Sequence, residues 1–138
     1  MANYFTHLAF EIPATAEDAE RFSQAIEDAA ILVENSNGTD NEDELEGIAC
    51  RFDQKSGTLA IFDTDGAPNL WALAKALQSL FPEKLPLGFV YSCSCDKPRM
   101  DGFGGGLFAV GSESIVHRDL GELLAEEISD LSETTDAD

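Results

Sequence analysis

Positive charge is scarce in this chain. Eight lysines and arginines stand against 27 aspartates and glutamates, which gives a formal net charge of -19 and a pI near 4.1. So anionic a surface repels phosphate, and direct binding of DNA, RNA or an anionic membrane is not expected. Long apolar runs are missing too: nothing approaches the roughly 18 consecutive apolar residues of a membrane span. The opening MANYFTHLAFEI lacks the positive charge that begins a secretory signal, so the expected compartment is the cytoplasm. Cysteine is limited to Cys50 and the two of Cys93-Ser94-Cys95. An odd set of three makes no disulfide framework and fits a reducing environment.

The motifs of common chemistries are incomplete. Gly102-Phe103-Gly104-Gly105-Gly106 is rich enough in glycine for a phosphate loop, but such a cradle needs a helix N-terminus after it, and a strand pattern follows here. Those glycines fit a bulged strand start with close backbone approach instead. His117-Arg118-Asp119 spells a kinase triplet with no strand lysine and no Asp-Phe-Gly to accompany it. Cys93 or Cys95 with His7 or His117 is a conceivable nucleophile and base. Zinc would require Cys93, Cys95, Cys50 and a histidine, without the usual Cys-x2-Cys knuckle. The stretch 35–46 has the length and final Glu of a calcium loop, but its Gly38 stands at the fourth position where the sixth is needed. No cofactor and no enzymatic activity are expected.

What the chain does contain is a regular alternation of strand and helix patterns. Phe5 to Ile12 alternates and meets Pro13, as a strand would. Thr15 is an N-cap candidate with Glu17 and Asp18 in the first turn. Ala19, Phe22, Ile26, Ala29 and Val33 then mark one helical stripe to about Glu34. Asn35 to Glu46 reads as a polar, acidic, exposed loop. Ile48, Cys50 and Phe52 alternate, and Gln54-Lys55-Ser56-Gly57 turns the chain into a strand from Thr58 to Asp63. Pro68 opens a second helix through Phe81, with Leu70, Leu73, Ala74 and Leu77 as its stripe.

A hairpin from Leu85 to Gly111 organises the rest. Phe89, Tyr91, Cys93 and Cys95 share one face, Val90, Ser92 and Ser94 the other, and Gly106 to Gly111 supplies the returning strand. A last helix is expected over about Asp119 to Leu131, docking through Leu120, Leu123, Leu124, Ile128 and Leu131. The reading is one α+β domain over residues 1–131, with 132–138 as a frayed acidic tail. Strand, helix, strand, strand, helix, strand is the split order of a ferredoxin-like sandwich. The expectation is therefore a βαββαβ core plus one extra strand and a C-terminal helix, with helices on one face of one antiparallel sheet.

Leu80-Phe81-Pro82, the aromatic strand Phe89 to Cys95, Lys97-Pro98-Arg99 and Phe103-Gly104-Gly105-Gly106 together resemble a group of small ferredoxin-like proteins of unknown function from bacteriophages and plasmids. The resemblance implies the sandwich fold and a mobile-element origin, and it brings no catalytic residues.

The placement of negative charge is the strongest functional signal. No basic residue lies between Arg21 and Arg51 or after Arg118, and those two stretches hold sixteen of the 27 acids. Asp119, Glu122, Glu126, Asp130 and Glu133 recur at steps of three and four, hence along one helix face, where like charges cost roughly 0.2 to 0.5 kcal/mol per pair. Rows of carboxylates can imitate DNA phosphates and draw a basic channel onto a decoy. The expected function is a non-enzymatic interaction protein, in its most specific form a nucleic-acid mimic that inhibits a host defence nuclease or CRISPR effector. Its contact residues would be Glu42, Asp43, Glu44, Glu46, Asp119, Glu122, Glu126 and Asp130, and its partner a protein with a basic nucleic-acid-binding surface. Two alternatives stand beside it: a metal- or ligand-binding module on the Cys93/Cys95 face, and a self-associating domain that forms a homodimer.

Overall fold

Thr15 and Asp18 start the first helix with a reciprocal pair of hydrogen bonds. In the computed structural model, which describes residues 4–35, 45–96 and 103–136, the Thr15 hydroxyl accepts from the Asp18 amide at 3.2 Å, and the Asp18 carboxylate accepts from the Thr15 amide at 3.0 Å. This capping box satisfies amides that a helix start leaves without partners and launches α1, Ala16–Asn35. Ala19, Phe22 and Ala29 are buried along it, on the stripe that the periodicity predicts. Asp18 is buried as well and pairs with Arg21 at 2.8 Å and Lys84 at 3.1 Å, fastening the start of α1 to a single 3-10 turn, Pro82–Lys84. The Thr15 amide bond, helped by Lys84, outweighs burial and holds the Asp18 carboxyl below the ordinary aspartate value.

The second helix, α2 (Leu70–Leu80), is capped by Asn69, whose side chain accepts from the Ala72 amide at 3.2 Å. It buries Ala72, Leu73, Ala74 and Leu77. Phe81 closes it, wholly buried and stacked on Phe22 of α1 with ring centroids 6.3 Å apart. Both helices therefore send their apolar stripes into one core.

Among the described residues, seven strands form two antiparallel sheets. They are β1 (Tyr4–His7), β2 (Ala9–Pro13), β3 (Ile48–Asp53), β4 (Thr58–Asp63), β5 (Leu87–Cys95), β6 (Gly104–Val110) and β7 (Ile115–Asp119). One sheet runs β1-β5-β6-β7, the other β2-β4-β3. The chain is thus α+β with antiparallel sheets and three helices, an arrangement compatible with the split βαββαβ order. The expected single sheet is corrected to two, and the expected single extra strand to a pair, β6 and β7.

The reason for the division is a contact at Leu8. The predicted first strand, Phe5 to Ile12, breaks at Leu8, whose side chain is buried and whose amide donates to the Asp63 carboxylate at 2.8 Å. The other oxygen of Asp63 lies 3.0 Å from His7 Nδ1. One carboxylate at the end of β4 thus takes the chain out of one ladder and passes it into the next. Burial pulls the Asp63 carboxyl upward, but the Leu8 amide and His7 more than offset it, and its pKa lies below the ordinary aspartate value.

Stacked rings join the sheets across that break. Phe10 of β2 stacks on Phe89 of β5, Phe89 on Phe108 of β6, and Phe108 on His117 of β7, with centroids 5.1, 5.1 and 4.6 Å apart. The register Phe89↔Phe108↔His117 puts the last three directly opposite one another. Trp71 of α2 meets Phe108 edge-on at 5.0 Å, so α2 covers this ring row, while α1 packs on β3. Among the described residues, no helix is long and apolar enough to cross a membrane.

Candidate interaction surface

Asp119 ends β7 and begins the third helix, α3 (Leu120–Asp136). Its carboxylate accepts from the Glu122 amide at 2.8 Å, the N-cap geometry that a short acidic side chain favours. The helix continues five residues past the predicted end at Leu131. Its first turns are held by Arg118, which the pairing Leu107↔Arg118 places on the opposite sheet face from His117 and the ring row. The guanidinium lies 3.7 Å from Glu122 through Nε and pairs with Glu126 through its terminal nitrogen.

This corrects the expected docking of α3. Leu123 is half-buried, but Leu120, Leu124, Ile128 and Leu131 are 51, 61, 56 and 67% exposed. At 100° per residue, the side carrying Glu122 and Glu126 lies about 180° round the helix from the centre of that stripe. The helix is amphipathic as the sequence predicts, yet its leucines lie in solvent, and Glu122 and Glu126, their side chains 60 and 59% exposed, reach the domain through Arg118. Ion pairing to Arg118 ties the first turns of α3 to β7.

The predicted contact residues fall into three groups. Glu42, Asp43 and Glu44 lie outside the described residues. Glu46 is exposed, and its carbonyl accepts from the Asn69 amide at 2.9 Å ahead of α2. Asp119, Glu122, Glu126 and Asp130 are together on one element, but not as a bare row: Asp119 caps the helix, and Glu122 and Glu126 share Arg118. Glu127 and Asp130 are exposed on the same helix. Leu45, in a stretch expected to be wholly exposed, is buried.

The four-ligand set that zinc would require is not assembled. Cys50 sits on β3 with its thiol 3.5 Å from the Ser23 hydroxyl, in the other sheet from Cys93 and Cys95 on β5. Cys93 lies 3.9 Å from the Thr6 hydroxyl. Among the described residues, no three His, Cys, Asp or Glu side chains gather as metal ligands would. His7 is engaged by Asp63 and His117 by Tyr91.

The Tyr91–His117 contact is the feature that sequence reasoning missed. The Tyr91 hydroxyl and His117 Nε2 are hydrogen-bonded at 2.6 Å, spanning β6 at Gly106, the register partner of Tyr91. A Cβ at Gly106 would collide with the Arg118 carbonyl and the Tyr91 hydroxyl, so only glycine leaves the ring its path. Burial, followed by the negative neighbours Cys93, Asp119 and Glu122, pushes the phenol pKa up. The phenol therefore stays protonated. The glycine opposite Tyr91 carried the signal, but it becomes readable only once β7 is known to exist.

Compared with family models, curated proteins and solved structures, the chain matches none.

Proposed function

We propose that this protein is a non-enzymatic, acidic interaction protein that binds a partner with a basic nucleic-acid-binding surface, in its most specific form a nucleic-acid mimic directed at a host defence nuclease or CRISPR effector. The observation that carries the reading is helix α3, which stands at the domain surface with Glu127 and Asp130 exposed and has no basic residue after Arg118. A net charge of -19 steers a cationic channel toward such a surface from beyond contact distance. The ferredoxin-like reading of the fold belongs to the same proposal. It is supported by the order β1/β2, α1, β3, β4, α2, β5 and by the pairing of β1 with β5 and of β2 with β4, with β6 and β7 appended. So does the mobile-element origin implied by the resemblance of Phe89 to Cys95 and Phe103 to Gly106. We place the protein in the cytoplasm, where the free thiols of Cys50, Cys93 and Cys95 remain reduced.

The test is competition. A purified CRISPR effector or restriction nuclease is incubated with labelled duplex DNA and increasing amounts of this protein. DNA should be displaced at about 0.05 M salt and much less at about 0.5 M, where charges are screened over a few ångströms. Conversion of Glu122, Glu126, Glu127 and Asp130 to their amides should weaken displacement. Displacement that ignores both salt and the amide changes overturns the reading, as does turnover of a substrate by the protein.

A further inference from the structure

We propose that α3 is a docking helix that inserts its leucine stripe into an apolar groove rimmed by lysines or arginines on the partner protein. This rests on the interaction reading above and specifies the chemistry of its contact. Leu120, Leu124, Ile128 and Leu131, each more than half exposed, repeat at steps of four, four and three, the anchor spacing by which a helix lies in a groove. Stripes of this kind in α1 and α2 are buried in the core; on α3 the stripe stays in solvent, while Arg118 pairs with Glu122 and Glu126 on the opposite side.

Charge and area decide what covers it. Glu127 falls at the edge of the stripe, and no basic residue follows Arg118 to neutralise it, so a lysine or arginine rim is complementary. A second copy of this chain would bring another charge of -19 to the same place. The four exposed side chains also supply on the order of 400 Å² per copy, about half of the roughly 800 Å² per partner of a stable interface. A groove closes round the helix and also reaches its other flank, where Gly121, Ala125, Ser129 and Ser132 are exposed and small. Close approach of groove walls is easiest there.

Calorimetric titration of the full chain with two synthetic helical hairpins tests this. One carries leucines along its inner groove and lysines on its rims; in the other, serines replace the leucines and the lysines stay. The native chain should bind the leucine hairpin at least about tenfold more tightly than the serine hairpin, since each buried aliphatic side chain is worth about tenfold. Leu124→Ala with Ile128→Ala should remove most of that difference and leave the helical circular dichroism unchanged, because alanine keeps helix propensity. Equal binding of both hairpins overturns the docking groove while leaving the charge-driven reading intact. Binding of neither at low salt overturns both. A native chain that sediments as a dimer, and as a monomer once Leu124 and Ile128 are alanine, assigns the stripe to a second copy and overturns the proposal.

Discussion

Helices α1 and α2 and helix α3 carry the same kind of pattern and use it in opposite ways. Phe22 on α1 and Leu73 and Leu77 on α2 are buried without remainder, under helix starts that Asp18 and Asn69 cap. On α3, Leu124 and Ile128 face solvent and the carboxylates face Arg118. Hydrophobic periodicity specifies that a helix has a face, but not whether the fold covers it. The first two helices are packed into the fold; the third is tied to it at its first turns, by Arg118 and the half-buried Leu123.

Substitutions should separate the two regions. Phe22→Ala should be the most damaging, with a loss of about 3–5 kcal/mol in urea unfolding, because the ring is wholly buried against Phe81. Asp18→Ala comes next at about 2–4 kcal/mol, since it strips the capping box and leaves Lys84 and Arg21 without their shared carboxylate. A rise in the loss to include α3 would argue that all three helices form one core.

Gly106→Ala should cost about 1–3 kcal/mol through its clash with the Arg118 carbonyl and the Tyr91 ring. Amide and ring chemical shifts should show His117 released from Tyr91; a substituted chain with that hydrogen bond intact would contradict the account of the strand crossing.

Acid should act on the packed region first. Asp18 and Asp63 both have folded pKa values below the ordinary aspartate value. Each therefore contributes stability that is fully present above the unfolded value, near 3.9, and is lost as pH falls through the lower folded value. Unfolding free energy should decline below about pH 4, and Asp18→Asn should flatten that decline. An unaltered slope in the variant would show that the Asp18 cluster does not set acid sensitivity.

Several of these residues could be read from the chain. Thr15 with Asp18 is a cap by residue type and spacing, and Gln54 to Gly57 lacks any other plausible role: Gly57, at a φ of +66°, donates to the Asp53 carbonyl at 2.9 Å and closes the turn. The Phe89 to Cys95 strand and the glycine-rich start of its neighbour were equally legible. What stayed hidden depended on partners far along the chain. The break at Leu8 is made by Asp63, fifty-five positions away. Ile115 to Asp119 became a strand because β6 offered it an edge; its Ile-Val pair alone is too short a run to signal one. The row Glu122, Glu126, Asp130 looked uniform because the sequence does not show that Arg118 would fold back onto it.

The smallest expected effect is also the most direct test. In urea unfolding of the chain with Leu124→Ala and Ile128→Ala, the free energy should stay within about 0.5 kcal/mol of the native value, as for surface positions. A loss of about 4 kcal/mol or more, the sum expected for two core truncations, would place those side chains in the interior and contradict the claim that α3 holds its apolar face out for a partner.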